Sequence, residues 1–223
     1  RNPLAHMHAV KIDLDHANTA SVKNPAFLTN PDLRDYLRVT DCSQVSDGAS
    51  AVLLCSDEGL ARIGRPRGEC VEILTSKVAT GCLNVDPPPT ILDNTMDAIR
   101  QAYAATGLGA EDMQVVEAHD CFTCNEILMV EALGLAKAGQ GARLLREGKT
   151  EIDGAIPVNT GGGLCGFGHP VGATGVKQAV EIYRQLRGEC GDYQIPVTPG
   201  LGISVNMGGD DRTSAVHIYR AIA

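Results

Sequence analysis

The stretch MQVVEAHDCFTCNEILMVEALGL, residues 113–135, carries two hydrophobic periods separated by a turn. Met113 to Ala118 is a mostly apolar run of strand length, and His119-Asp120 reads as the turn. From Phe122 to Leu135 the residues Ile127, Leu128, Val130 and Leu133 cover one broad helical face. Strand passing directly into helix is the repeating unit of an α/β domain, and it recurs on both sides. Upstream, Val71-Glu72-Ile73-Leu74 reads as a strand and Pro87-Pro88-Pro89 as a loop. ILDNTMDAIRQAYAATG (91–107) follows as an amphipathic helix ending at Gly107, with Ile91, Leu92, Met96, Ile99 and Tyr103 at helical spacing. Downstream, a third unit begins at Ile156 and runs through a glycine-dense loop into a helix over Val176 to Leu186. Two closing strands, Gly202–Asn206 and Thr213–Tyr219, are joined by Gly208-Gly209-Asp210-Asp211. This order predicts a three-layer α/β/α domain whose last strand is antiparallel.

The first third has a different texture. Residues 1–38 are rich in Asn, Pro and Asp (Asn24, Pro25, Asn30, Pro31, Asp32), which favours turns over long elements. RVTDCSQVSDGASAVLLCS (38–56) then sets a Ser-Asp-Gly turn before Ala51-Val52-Leu53-Leu54, a run bounded like a buried strand. Gly64, Pro66 and Gly68 mark a domain boundary near residue 66. The 223 residues, 43% hydrophobic and 21% charged, are enough to bury a core without disulfide or metal staples. A net charge of -8 and the lack of a Lys/Arg cluster argue against a nucleic-acid partner. No apolar run approaches the roughly eighteen residues of a transmembrane segment, so a soluble protein is expected. Eight sparse cysteines without a signal peptide suggest a reducing, intracellular setting. The polar opening from Arg1 reads as the interior of a longer protein, and Ile222-Ala223 form no peroxisomal Ser-Lys-Leu address.

Three constellations could carry chemistry. HDCFTC (119–124) lies where a predicted strand meets a helix N-terminus, the position at which ligands gather in such sheets. Helix N–H groups and His119 there are expected to lower the pKa of the Cys121 thiol and make it an acid/base group. The plainer alternative makes Cys121 and Cys124 small buried hydrophobes. NTGGGLCGFGHPVGATG (159–175) surrounds His169 with seven glycines, as backbone requires where it turns with positive φ or approaches a ligand closely. It is neither a P-loop nor a dinucleotide fingerprint. SVNMGGDD (204–211) puts backbone N–H donors at a third strand end. Cys121, Cys124, Cys165 and His169 could alternatively bind zinc, and strand, Cys-x-x-Cys, helix is also the order of a redox protein.

These residues resemble the thiolase family, over nearly the whole chain. GGGLCGFGHPVGATG resembles the thiolase signature of glycines leading into Gly-His-Pro and Gly-x-Thr-Gly. SDGASA (46–51) resembles the Asp-Gly-Ala run on the last strand of the thiolase N-terminal domain. His119-Asp120-Cys121-Phe122 resembles the motif of the sterol-carrier-protein type, where other thiolases carry Asn-Glu-Ala-Phe. The resemblance implies a thiolase fold with a five-stranded mixed sheet. Residues 1–66 would be the end of the loop region and the last strand of the N-terminal domain, and 67–223 the C-terminal domain. It implies an acyltransferase that makes or cleaves 3-ketoacyl-coenzyme A, with coenzyme A and acyl-coenzyme A as substrates and no further cofactor. His169 would activate a nucleophilic cysteine and share an oxyanion hole with His119, and Cys121 would move the α-carbon proton. Gly208 would offer its N–H to a second oxyanion hole, and Ser43 would lie near the pantetheine. The usual Cys-x-Gly cysteine is absent, since Asn206-Met207-Gly208 stands there. The nucleophile belongs to an N-terminal domain absent from this sequence, so the chain alone is expected to be inactive. The complete protein would be a homo-oligomer in a peroxisome-like organelle or mitochondrion. A catalytically degenerate lipid-binding or scaffold subunit is the alternative within the family.

Overall fold

The structure, a computed structural model, describes residues 30–32, 36–37, 41–86, 88–197 and 200–222. The readings made for residues 1–29, 33–35 and 38–40, for Pro87 and for Ala223 lie outside them. Four strands form one sheet: β1 (Val71–Thr80), β2 (Val115–Ala118), β3 (Leu201–Gly208) and β4 (Thr213–Ala221). Their spatial order is β1-β4-β3-β2. β4 runs antiparallel to both of its neighbours, and β2 runs parallel to β3. The sheet is therefore mixed, but among the described residues it has four strands rather than the expected five. The run from Ile156 contributes a single parallel bridge, Val158 to Val116. Pro157 has no N–H to extend a ladder, and Asn159, at φ 53°, leaves the extended region immediately afterwards.

The helices are α1 (Asp57–Ile63), α2 (Asp93–Thr106), α3 (Thr123–Ala132), α4 (Gly141–Arg146), α5 (Gly163–Phe167) and α6 (Thr174–Arg187). Strand alternation sorts the core into two layers of contact. Val116, Ala118, Ile203, Val205, Val216 and Ile218 face α2 and α3, meeting Ile99, Ala102, Met129 and Val130. Val115 and Tyr219 face the other way, against Ile182 and Leu186 of α6. Each such aliphatic side chain removed from water contributes about 1.5–3 kcal/mol, so this double-sided burial holds the sheet and its helices together. Ile91 and Met96, expected in the core from their spacing, remain half exposed.

The turn after β3 pins α2. Gly209, Asp210 and Asp211 all have positive φ, and the buried Asp211 carboxylate reaches the start of α2. It accepts the Asn94 N–H (2.8 Å), the Thr95 N–H (2.9 Å) and the Thr95 hydroxyl (2.6 Å), satisfying donors that a helix start leaves open. Residues 51–54 depart from expectation. They form no strand, and Leu53 and Leu54 are 79% and 70% exposed. An apolar run becomes a buried strand only where a sheet edge receives it, and residues 51–54 pair with neither edge strand, β1 or β2.

Candidate active site at the ends of β2 and β3

Ala118, the last residue of β2, pairs with Val205 of β3, so the next residues on the two strands stand level: His119 and Asn206. The Asn206 Nδ2 lies 3.1 Å from His119 Nδ1 and donates to Gln178 Oε1 at 2.9 Å. The ring of His169 meets that of His119 edge-on, with centroids 5.1 Å apart and planes at 85°. His169 comes from the glycine loop, and its Nδ1 lies 2.7 Å from Thr174 Oγ1 at the start of α6. The Thr174 hydroxyl donates to the Pro170 carbonyl (3.2 Å), which leaves its lone pairs to accept the His169 Nδ1–H. On that pattern His169 Nε2 is an unprotonated base.

Burial, followed by the nearness of His169, pushes the His119 pKa down to about 4. Burial likewise holds His169 below the ordinary histidine value. Both rings are therefore uncharged at neutral pH, and can exchange one proton with a substrate or nucleophile without first shedding another. Cys121 differs from the sequence expectation: burial and the Asp120 charge push its thiol up to about 11. Hydrogen bonds from the backbone at Phe122 and Cys121 pull in the opposite direction, but burial outweighs them. A neutral His119 offers no cationic help. The thiol at rest is thus a proton donor rather than a ready thiolate.

Asp120 joins the two motifs. Its buried carboxylate accepts the Leu164 N–H at 2.6 Å and the Cys165 N–H at 3.4 Å, at the first turn of α5. Gly163, at φ 62°, allows this, because a Cβ there would run into the carboxylate. Burial and the charge of Glu126 nevertheless hold the Asp120 pKa well above the usual carboxylate range. The segment 41–46 lies across both motifs. Ser43 donates its N–H to the Cys121 carbonyl (2.8 Å), and the Gln44 carbonyl accepts the His169 N–H (2.7 Å). Gly168, at φ 91°, lets the loop close on Ser46. Main-chain bonds thus tie the segment carrying Ser43 to Cys121 and His169, and the ring contact ties His169 to His119. Gly208 stands exposed two residues beyond Asn206, at the end of the same strand.

Sequence reading missed Asn206, Gln178, Thr174 and the tie made by Asp120. Two of them share a signal. The sheet-facing side of α6 carries Thr174, Gln178, Glu181 and Gln185, all buried. Polar residues spaced along a buried helix face need partners, and for Thr174 and Gln178 those partners are His169 and Asn206. A second buried group lies behind the histidines: Glu117, 1% exposed, has neither oxygen hydrogen-bonded, and Lys177 stands 3.9 Å away. The four proposed zinc ligands do not converge. The Cys165 thiol is given to the Asp120 carbonyl at 3.1 Å, and among the described residues no group of three His, Cys, Asp or Glu side chains is placed to hold a metal ion.

Residues 78–221 match the family model described as Thiolase C-terminal domain-like. The chain belongs to the thiolase family. Among its relatives within and near that family, it is 44% identical over 185 residues to the acetyl-CoA acetyltransferase of Methanothermobacter thermautotrophicus, across 83% of this chain and 48% of that protein. Sterol carrier protein 2 of Rattus norvegicus is 37% identical over 192 residues, across 83% of this chain and 34% of that protein. This thiolase chain spans about half the length, or less, of these curated relatives. A solved structure described as an Ltp2-ChsH2(DUF35) aldolase shares the fold, with a TM-score of 0.59, 22% identity, and coverage of 68% of this chain and 39% of that one. No helix among the described residues is long and apolar enough to cross a membrane.

Proposed function

We propose that this chain is the C-terminal half of a thiolase of the sterol-carrier-protein type, acting on 3-ketoacyl-coenzyme A with coenzyme A as co-substrate and no other cofactor. The observation that carries the reading is the facing pair of uncharged histidines, His119 and His169, at 5.1 Å. Claisen chemistry and its reverse pass through oxyanions and an enolate, so they need a base for the nucleophile and N–H donors for developing charge. His169 Nε2 takes the proton of a cysteine nucleophile supplied by the upstream half, and then returns it as an N–H to the thioester oxygen beside His119. Cys121, protonated at rest, delivers its proton to the α-carbon in thiolysis and recovers it in condensation. Gly208 contributes its N–H to a second oxyanion hole, and Ser43 flanks the pantetheine.

The exposed run Val52-Leu53-Leu54 fits the same reading, as the last strand of an N-terminal domain whose other strands lie upstream. Residues up to about 66 would belong to that domain, and 67–223 would form the C-terminal one. The complete enzyme would be a homo-oligomer in a peroxisome or mitochondrion. The test is to join the chain to its native upstream sequence and assay thiolysis of acetoacetyl-coenzyme A. The joined protein turns over, the chain alone does not, and Cys121→Ala in the joined protein abolishes turnover. Full activity of that variant would remove Cys121 from proton transfer. No activity in any form would favour the degenerate lipid-binding subunit.

A further inference from the structure

His119 has two ring nitrogens, and which one carries the proton decides whether it can donate or accept toward the site. The answer can be traced from a main-chain atom. The Val205 carbonyl can only accept, and it takes a hydrogen bond from Gln178 Nε2 at 3.2 Å. That orients the Gln178 amide so that its Oε1 faces Asn206. Asn206 must then turn its NH2 group towards Gln178, with one hydrogen on Gln178 Oε1 at 2.9 Å. The same Nδ2 lies 3.1 Å from His119 Nδ1, so its second hydrogen is given to that nitrogen. Each step is forced by the donor and acceptor inventory, because an amide oxygen facing Gln178 Oε1 would set two acceptors against each other. The chain of polarity ends at an Nδ1 lone pair.

We propose that Asn206, anchored by Gln178, is a positioning residue that holds the proton of His119 on Nε2, so that the ring presents an N–H to the thioester oxygen. The inference rests on the oxyanion role given to His119 above. It accounts for the polar pair of buried Gln178 and half-buried Asn206 between α6 and the sheet. Gln178 is fully buried, and Asn206 occupies the sheet position facing α6. It also explains how two neighbouring imidazoles take opposite parts. Thr174 accepts from one Nδ1, while Asn206 donates to the other, so one Nε2 is a base and its neighbour a hydrogen-bond donor.

The experiment is long-range proton–nitrogen NMR on histidine-labelled chain at pH 7, with the His119 signals assigned by their loss in His119→Gln. The wild type is expected to show His119 neutral with its proton on Nε2. Asn206→Asp replaces the donor by an acceptor of the same shape. It should move the proton to Nδ1 and raise the titration midpoint by about one pH unit or more, as a facing carboxylate does. In the joined, active enzyme the same variant should lose about 10²-fold in kcat, the cost of one oxyanion donor. A wild-type ring protonated on Nδ1 overturns the proposal even if no variant folds. So does an Asn206→Asp ring with unchanged tautomer and midpoint. A switched tautomer with undiminished kcat would leave Asn206 in its positioning role and overturn the oxyanion assignment of His119 on which the catalytic half rests.

Discussion

Replacing Asp120 by Ala tests whether one carboxylate joins the two histidine-bearing motifs. The side chain is 3% exposed and accepts the Leu164 N–H at 2.6 Å and the Cys165 N–H at 3.4 Å. The short bond is of the charge-assisted kind, worth about 1.5–3 kcal/mol, and the long one adds little. Removing the acceptor also leaves a buried N–H at the start of α5 without a partner, at a further cost of about 1–2 kcal/mol. Against this, the variant no longer buries a carboxylate whose pKa is already raised by desolvation, which returns part of the loss. The net expectation is about 2–3 kcal/mol of destabilisation. For a chain of this size that is a fall in Tm of roughly 4–12 °C. Thermal unfolding followed by circular dichroism measures it, with amide exchange at Leu164 and Cys165 as the local readout. Asp120→Asn keeps an oxygen for Leu164 and should lose about half as much. A Tm for Asp120→Ala within about 1 °C of wild type, with both amides still protected, would refute the reasoning.

Two other expectations follow from the site and from the charge behind it. His119→Ala in the complete enzyme should lower turnover by about 10²-fold or more, and near wild-type turnover would remove it from the oxyanion hole. Glu117 has a pKa raised from 4.5 to about 7 by burial, with Glu181 and Glu126 adding to the shift and Lys177 opposing it. Between those values the folded state holds a proton that the unfolded chain has lost, so stability falls as pH rises from about 4.5 to about 7 and levels off above. At about 1.4 kcal/mol per unit the loss is on the order of 3 kcal/mol. Urea unfolding at pH 5 and pH 8 should show that loss shrinking in Glu117→Gln, and an identical difference in variant and wild type would contradict the assignment.

The alternating units were legible because their periods are set by burial on a sheet. Val115–Ala118 of the expected Met113–Ala118 strand and the helix after it are found where the apolar spacing puts them, as are β3, β4 and the helix ending at Gly107. Where the reading failed, the missing information was tertiary. Ile156 to Val158 is apolar enough for a strand, but Pro157 and the positive φ of Asn159 restrict it to one bridge. Residues 51–54 carry the pattern of a buried strand but pair with no strand of the sheet. Cys121 was placed correctly at a helix start, yet its thiol is pushed up rather than down, because burial depth cannot be read from position along the chain. His119 and His169 were visible through their surroundings. Asn206 and Gln178 were not, because a polar residue in a strand or helix reads as solvent-facing until its partner across the sheet is known.

Helix α6 carries supports for both histidines, Thr174 beneath His169 and Gln178 behind His119 through Asn206, one helical turn apart. A helix is stiff over that distance, so the two supports are rungs of one ladder rather than separate posts. Displacements of the helix as a whole, such as those felt at Gln185 where it grips Thr160 and Tyr193, carry both rungs the same way. The pair can drift together relative to the sheet while its internal spacing is preserved. A lesion at the far end of α6 should therefore spoil how the pair addresses a substrate before it spoils how the two rings address each other.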